Sequence, residues 1–250
     1  MNSLSSGSAT KSNIWFSVSL GLIGIIVGYT LAGIVPGSGG KVAPTPIVAN
    51  PTPTAAPTPA PAANIPALDA KADHYTGSPN AKLTLVTYTD FECPFCKRHH
   101  ATIQQILSTY KDTVNVVYRY FPLSFHQNGQ KEAEAAECAA DQGGDSAFWK
   151  FADGIFAKTT SNGTGFALDQ LGPLAKSIGL DQAKFQTCLD SGTFAQKVKS
   201  EEDAGSNAGV SGTPANFLVD NTTKKIQEIP GGAIPFSSFK TAIDAALAAK

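Results

Sequence analysis

Charge is what this sequence has least of. Charged side chains make up 16% of its 250 residues, well under the quarter usual in soluble domains. The deficit is local. No acidic residue precedes Asp69, and the only charges in residues 1–67 are Lys11 and Lys41. Positions 68–250 keep 17 basic and 20 acidic residues, an ordinary globular composition over a length able to enclose a core. Nor is there an excess of positive charge: a net charge of −1 and a pI near 6.4 exclude an electrostatic case for nucleic acid. No internal repeat is present, which excludes a solenoid.

The uncharged stretch between Lys11 and Lys41 contains Ile14–Val35, 22 residues of largely apolar sequence. As a helix it is about 33 Å long, enough to cross the apolar core of a bilayer, with Trp15 and Tyr29 toward the interfaces. The alternative is a cleaved signal peptide, but the run exceeds the usual apolar length of about 7–15 residues and lacks a clean A-x-A site. Leu31-Ala32-Gly33 resembles a lipobox, yet Ile34 stands where the lipidated cysteine would be, which excludes a lipoprotein. The expectation is a short cytoplasmic N-terminus at 1–13 and a single-pass transmembrane anchor at 14–35, with the N-terminus inside. Residues 36–67 hold nine prolines among Ala, Thr, Gly and Val. Such a stretch cannot bury a core and favours extended polyproline II, so it is expected to be a disordered tether reaching up to roughly 90 Å.

From residue 68 the pattern alternates strand and helix. Lys82–Thr89 (KLTLVTYT) reads as a buried strand, Cys96–Tyr110 as a helix, and Val114–Tyr120 (VNVVYRY) as a second strand, a parallel pair with a right-handed crossover. A helical block follows. Gln130–Asp141 stops at Gly143-Gly144, and Asp145 is placed to cap Ser146–Lys158. Gly172-Pro173 is expected to kink or delay the helix at Leu168–Ile178; Asp181 caps the next, and Thr193–Asn207 is another. Asn216–Val219 and Lys225–Ile229 then form a hairpin, and Ser237–Lys250 a final helix.

The chemistry lies in Cys93-Pro94-Phe95-Cys96, a C-x-x-C directly after a strand and at the start of a helix. The unpaired N–H groups and dipole of a helix start stabilise a thiolate, making Cys93 both nucleophile and leaving group. Cys96, inside the first turn, is placed to resolve a mixed disulfide. Pro94 suits a position whose N–H would be unpaired anyway. A c-type haem site needs histidine after the second cysteine, and Lys97 is there. Zinc on Cys93, Cys96 and His99 or His100 is the metal alternative, but no second ligand pair stands at matching spacing. His99, His100, His126 and His74 otherwise read as surface residues.

Residues 77–96 (GSPNAKLTLVTYTDFECPFC), 135–149 (AAECAADQGGDSAFW), 185–192 (FQTCLDSG) and 209–217 (GVSGTPANF) together resemble the DsbA-type thiol:disulfide oxidoreductases, in particular their membrane-anchored, BdbD-like bacterial branch. The resemblance spans nearly all of 70–250. It implies an α/β thioredoxin fold over 68–250 with an all-helical insertion at about 128–207. It further implies that Thr213-Pro214 is a cis peptide facing the dithiol and pairing with an extended substrate segment. Many relatives carry glutamate where this chain has Thr87, beneath the buried cysteine. Asp90 and Glu92 are nearer the dithiol in sequence and either could substitute for that glutamate, but the preferred reading of both is solvated loop carboxylates. Relatives often place histidine between the cysteines, where Phe95 stands here. With Cys93 and Cys96 paired locally, Cys138 and Cys188 are either a bridge between two helices of the insertion or two buried free thiols.

The function implied is the introduction of disulfides into extracytoplasmic proteins through Cys93 and Cys96, without cofactor or metal. The implied partners are reduced or unfolded secreted proteins and a DsbB- or VKOR-like membrane reoxidant, and the implied location is the outer face of a bacterial cell membrane. A disulfide isomerase or reductase of the same fold is the alternative, weakened by the absence of a dimerisation domain. A non-catalytic tethered metal- or thiol-binding module is another.

Overall fold

The strands read from the sequence pair with one another, and two shorter ones extend them. In chain order the elements are β1 (His74–Gly77), β2 (Leu83–Thr89), α1 (Pro94–Thr109), β3 (Val114–Tyr120), α2 (Gly129–Lys158), α3 (Leu171–Ser177), α4 (Gln182–Ser191), α5 (Ala195–Asn207), β4 (Ala215–Asp220), β5 (Ile226–Ile229) and α6 (Phe236–Ala248). The computed structural model describes residues 64–249. The expected membrane helix at 14–35 and all but the end of the expected tether lie outside them. Among the described residues no helix is long and apolar enough to cross a membrane.

The sheet has the order β1-β3-β2-β4-β5. The central β2 and β3 run parallel, with Leu83 opposite Val114, while β4 lies antiparallel to β2 and β5 antiparallel to β4. Both central strands are buried at every position, as strands covered on both faces must be. One face carries Leu83, Leu85 and Leu218 against α1, α6 and the helical block. The other carries Val86, Tyr88, Val117 and Phe217 against Ile65 and Val210. Strand β1 had no sequence signal. Its four residues pair antiparallel with β3 because that edge was open, which is tertiary context overriding weak local propensity.

The last tether residues are docked rather than free. Ile65 is buried, and Arg119 donates to the carbonyls of Pro66 at 2.8 Å and Ala67 at 3.1 Å. Arg119 also pairs with Asp73 through Nε and Nη2, both at 2.9 Å. The boundary expected at residue 67 therefore falls inside a segment held to the sheet. A buried guanidinium requires acceptors, and this segment's carbonyls supply them.

Between β3 and β4 the chain is helical from Gly129 to Asn207, apart from short connections. Gly144 interrupts α2 with φ 63° and ψ −161°, a conformation open to glycine. Asp145 does not cap the helix after this break. Its carboxylate accepts from the Tyr75 N–H at 3.2 Å and bonds His74 at 3.0 Å, tying the insertion to β1. The Gly172-Pro173 pair delays α3 behind a 3₁₀ turn at Leu168–Gln170. Asp181 caps α4 by accepting from Ala183 and Lys184.

Cys138 of α2 and Cys188 of α4 form a disulfide, Cα atoms 5.9 Å apart and 50 residues apart in sequence. Closing that loop removes entropy from the unfolded chain. The double variant Cys138→Ser/Cys188→Ser is therefore expected to lose about 2–4 kcal/mol of stability, read from denaturant midpoints. An unchanged midpoint would show that the bridge does not constrain the unfolded state.

Candidate active site

Strand β2 ends at Thr89 and α1 begins at Pro94, so Cys93 is the cap residue of the helix and Cys96 lies in its first turn. Both are free thiols, each 2% exposed. The Thr213-Pro214 peptide is cis, and the Cys93 Sγ donates to the Thr213 carbonyl at 3.4 Å. Two loops distant in sequence thus meet at one sulfur. Pro94 and Phe95 are exposed, and the Arg98 guanidinium lies 5.1 Å from the Phe95 ring centroid.

The two thiols are driven apart. Cys93 is lowered to about 6, first by the Cys96 thiol donating to it, then by Thr213 and the N–H groups of Cys96 and Phe95, against the opposing effect of burial. Cys96 is raised well above its ordinary 9.0, first by burial and then by Cys93 beside it. The pair holds one ready thiolate and one proton-bearing thiol. The Thr213 hydroxyl is buried without a partner. Once Cys93 is ionised it can no longer donate to the carbonyl, and the free hydroxyl is the group that donates to the sulfur. Thr213→Val removes that donor and is expected to raise the Cys93 titration by about one pH unit, measured by thiolate absorbance. An unmoved titration would assign the hydroxyl no role.

Asp90 and Glu92 are not solvated loop carboxylates; they are 2% and 0% exposed. Asp90 accepts from the N–H groups of Glu92 and Leu123, both at 2.8 Å, and bonds His126 at 2.7 Å. Glu92 accepts from the N–H groups of Gly165 at 2.7 Å and Phe166 at 2.9 Å and from the Thr159 hydroxyl at 3.3 Å. Its own carbonyl accepts from the Asn162 N–H at 2.8 Å. The loop after α2 can wrap so tightly because a Cβ on Gly165 would stand 2.0 Å from the Ser161 nitrogen. The segment before Cys93 is therefore fixed by side chains aimed at backbone far along the chain.

The histidines also differ from expectation. His99, His100 and His126 are buried. His100 bonds the Tyr118 hydroxyl and Asp153, both at 2.8 Å. His99 packs against Phe239 in a tilted arrangement with centroids 5.2 Å apart, and burial lowers it to about 4. His74 is largely enclosed, bonding Glu137 at 2.9 Å. Helix α1 is sandwiched between the sheet, α2 and α6, so positions that look polar in sequence face packed neighbours. Among the described residues no three His, Cys, Asp or Glu side chains gather as a metal site. Thr87 is fully buried on the face below α1, and its hydroxyl donates to Asn216 at 3.0 Å. The place where relatives carry a carboxylate is neutral.

A dithiol at a helix start, facing a cis-proline loop beside a central parallel strand pair, defines a thioredoxin-fold thiol–disulfide site. Residues 69–245 match the thioredoxin family, and the chain belongs to it, as a protein of DsbA type. It is similar to Pseudomonas aeruginosa DsbA2, with 30% identity and a TM-score of 0.61 over 72% of this chain and 97% of that one. Bacillus subtilis BdbD shares the fold, at 24% identity and a TM-score of 0.62 over 72% of this chain and 95% of that one. In sequence, the Na(+)/H(+) antiporter NhaA 3 of Salinispora tropica is 34% identical over 157 residues, covering 60% of this chain and 22% of the antiporter. The chain thus spans about a fifth of the length of that curated relative.

Proposed function

We propose that this protein introduces disulfides into extracytoplasmic proteins. The oxidised Cys93–Cys96 pair accepts attack by a substrate thiolate at Cys93, and a mixed disulfide forms as Cys96 leaves as a thiolate that takes up a proton. A second substrate thiolate then attacks the substrate sulfur of that bond. The substrate leaves with its own disulfide, and the protein leaves with two reduced cysteines. The observation that carries this reading is the lowered Cys93 thiol: a stabilised thiolate is a good leaving group and favours the reduced protein, which makes the oxidised form a donor of disulfides.

The surface supports unfolded protein as the substrate. The large apolar side chains exposed among the described residues are Phe95, Phe125 and Leu168. Phe95 lies within the dithiol motif, Phe125 precedes the histidine bonded to Asp90, and Leu168 follows the loop that binds Glu92. Apolar surface in the dithiol motif and on the loops that hold Asp90 and Glu92 suits segments that a folded protein would bury. Family resemblance supplies a DsbB- or VKOR-like membrane protein as reoxidant, and the 22-residue apolar run at 14–35 supplies an anchor holding the domain outside the membrane. The likeness to part of an antiporter is consistent with a membrane setting.

The test is exchange with reduced, unfolded ribonuclease. Oxidised protein is expected to restore ribonuclease activity stoichiometrically in the absence of other oxidants, and the reduced protein to reduce insulin poorly. Efficient insulin reduction together with no ribonuclease oxidation would reverse the assigned direction. Stoichiometric zinc with no thiol exchange would favour the binding module instead.

A further inference from the structure

Helix α2 contributes a buried group that the exchange chemistry above does not use. Glu132, in its first turn, is 0% exposed, and neither carboxyl oxygen receives a hydrogen from any donor. What it faces is the carboxyl of Glu92. Two carboxylates cannot bond each other, whereas a carboxylic acid and a carboxylate can. The asymmetry decides which one holds the proton. Glu92 already accepts from two N–H groups and a hydroxyl, while Glu132 accepts from none.

The other charged groups around the pair do not change this. Asp90 of the same loop adds a second negative neighbour, and His126 stands behind it, bonded to Asp90 rather than to Glu132. Cys93 follows Glu92 directly in the chain. Among the described residues no lysine, arginine or histidine pairs with Glu132. Burial and then Glu92 raise Glu132 to about 10, and Glu92 is lowered because that proton and the N–H groups of Gly165 and Phe166 outweigh its burial.

We propose that Glu132 is a positioning residue for the dithiol: a buried acid that keeps its proton at neutral pH, donates it in a hydrogen bond to Glu92, and so fixes the loop before Cys93 while adding no further anion to the carboxylates beside the nucleophile. This rests on the reading of Cys93 as the attacking thiol. With both carboxyls ionised, repulsion would push Glu92 off Gly165 and Phe166, and two anions would oppose the Cys93 thiolate. With the proton in place, the Glu92 charge is spread over four donors.

The experiment has two arms. The first uses denaturant unfolding of the wild type and Glu132→Gln between pH 5.5 and 8.5. A carboxyl whose folded value lies above the ordinary 4.5 gives stability that is full below 4.5 and is lost as pH rises toward the folded value. Glutamine keeps the donor and cannot ionise. The unfolding constant of the wild type is therefore expected to rise relative to Glu132→Gln by about tenfold per pH unit; parallel profiles would overturn the bound proton. This arm involves neither cysteine, so it stands or falls apart from the oxidase reading.

The second arm follows Cys93 thiolate absorbance in the reduced protein. Glu132→Gln is expected to titrate with the wild type, and Glu132→Ala, which leaves Glu92 short of a donor, to hold about threefold less thiolate at pH 6. Wild-type titration in the alanine variant would reduce Glu132 to packing and overturn the positioning role. If that variant does not fold, Glu132→Met, which fills the space but offers no donor, replaces it, and wild-type titration there would overturn the role equally.

Discussion

Cys96→Ser protein mixed with a disulfide-containing substrate is expected to accumulate mixed disulfides through Cys93, and Cys93→Ser protein to accumulate none. The asymmetry follows from the two thiols' surroundings. At pH 7 a thiol at about 6 is roughly nine-tenths ionised, whereas one well above 9.0 is ionised by less than about one part in a hundred. Thiolate fraction therefore favours Cys93 by about a hundredfold or more. The more acidic thiolate is intrinsically less nucleophilic, which returns about 0.4–0.5 logarithmic units per pKa unit. Geometry keeps the preference: Cys93 caps the helix against Thr213, while Cys96 is inside the first turn. In the wild type, iodoacetamide should modify Cys93 with a rate that rises through pH 6 and then levels, while Cys96 reacts only under alkaline conditions. Equal rates for both thiols across pH 5–8 would sink the assignment.

The dithiol was legible because its signal is local. A buried strand, two cysteines three apart and a proline at the first helical position lie within one stretch of sequence. The glycine break at Gly144 and the cap at Asp181 were legible for the same reason. The cis peptide at Thr213-Pro214 came from resemblance alone, since its contact with Cys93 joins residues 120 apart. Asp90 and Glu92 were misread as solvated because nothing near them shows burial. Their partners are Leu123, His126, Gly165 and Phe166, on loops that only the fold brings together. The same holds for His99 and His100, polar residues on a helix packed on several sides. The alternating runs that give strand and helix are short-range patterns. Satisfaction of a buried polar group is a long-range fact, invisible until the chain closes on it.

Redox poise is where these surroundings combine, and the expected potential lies between thioredoxin's roughly −270 mV and the roughly −120 mV of a strongly oxidising, His-containing member of the fold. A Cys93 thiol at about 6 stabilises the reduced protein only where it is ionised. At pH 7 that contributes about one pKa unit, roughly 1.4 kcal/mol or 30 mV, toward the oxidising end. Below pH 6 the contribution vanishes, because the reduced form then carries both protons. The potential should accordingly fall by about 59 mV per pH unit below 6 and by about half that above it. Two features hold the poise short of the extreme. Glu92 adjoins Cys93 as an anion, although its charge is spread over Gly165, Phe166 and Thr159. Phe95 offers the sulfur no donor, and its ring engages the Arg98 guanidinium instead. Histidine at that position supplies a donor and, when protonated, a charge. Phe95→His is therefore expected to lower the Cys93 titration and shift the potential toward −120 mV by roughly 30 mV for each pKa unit gained. Glutathione-buffered fluorescence titrations of both proteins between pH 5 and 8 decide the matter. A wild type already at or above −120 mV, a slope that does not change near pH 6, or a histidine variant that moves the other way would each show that something other than the Cys93 thiolate sets the poise.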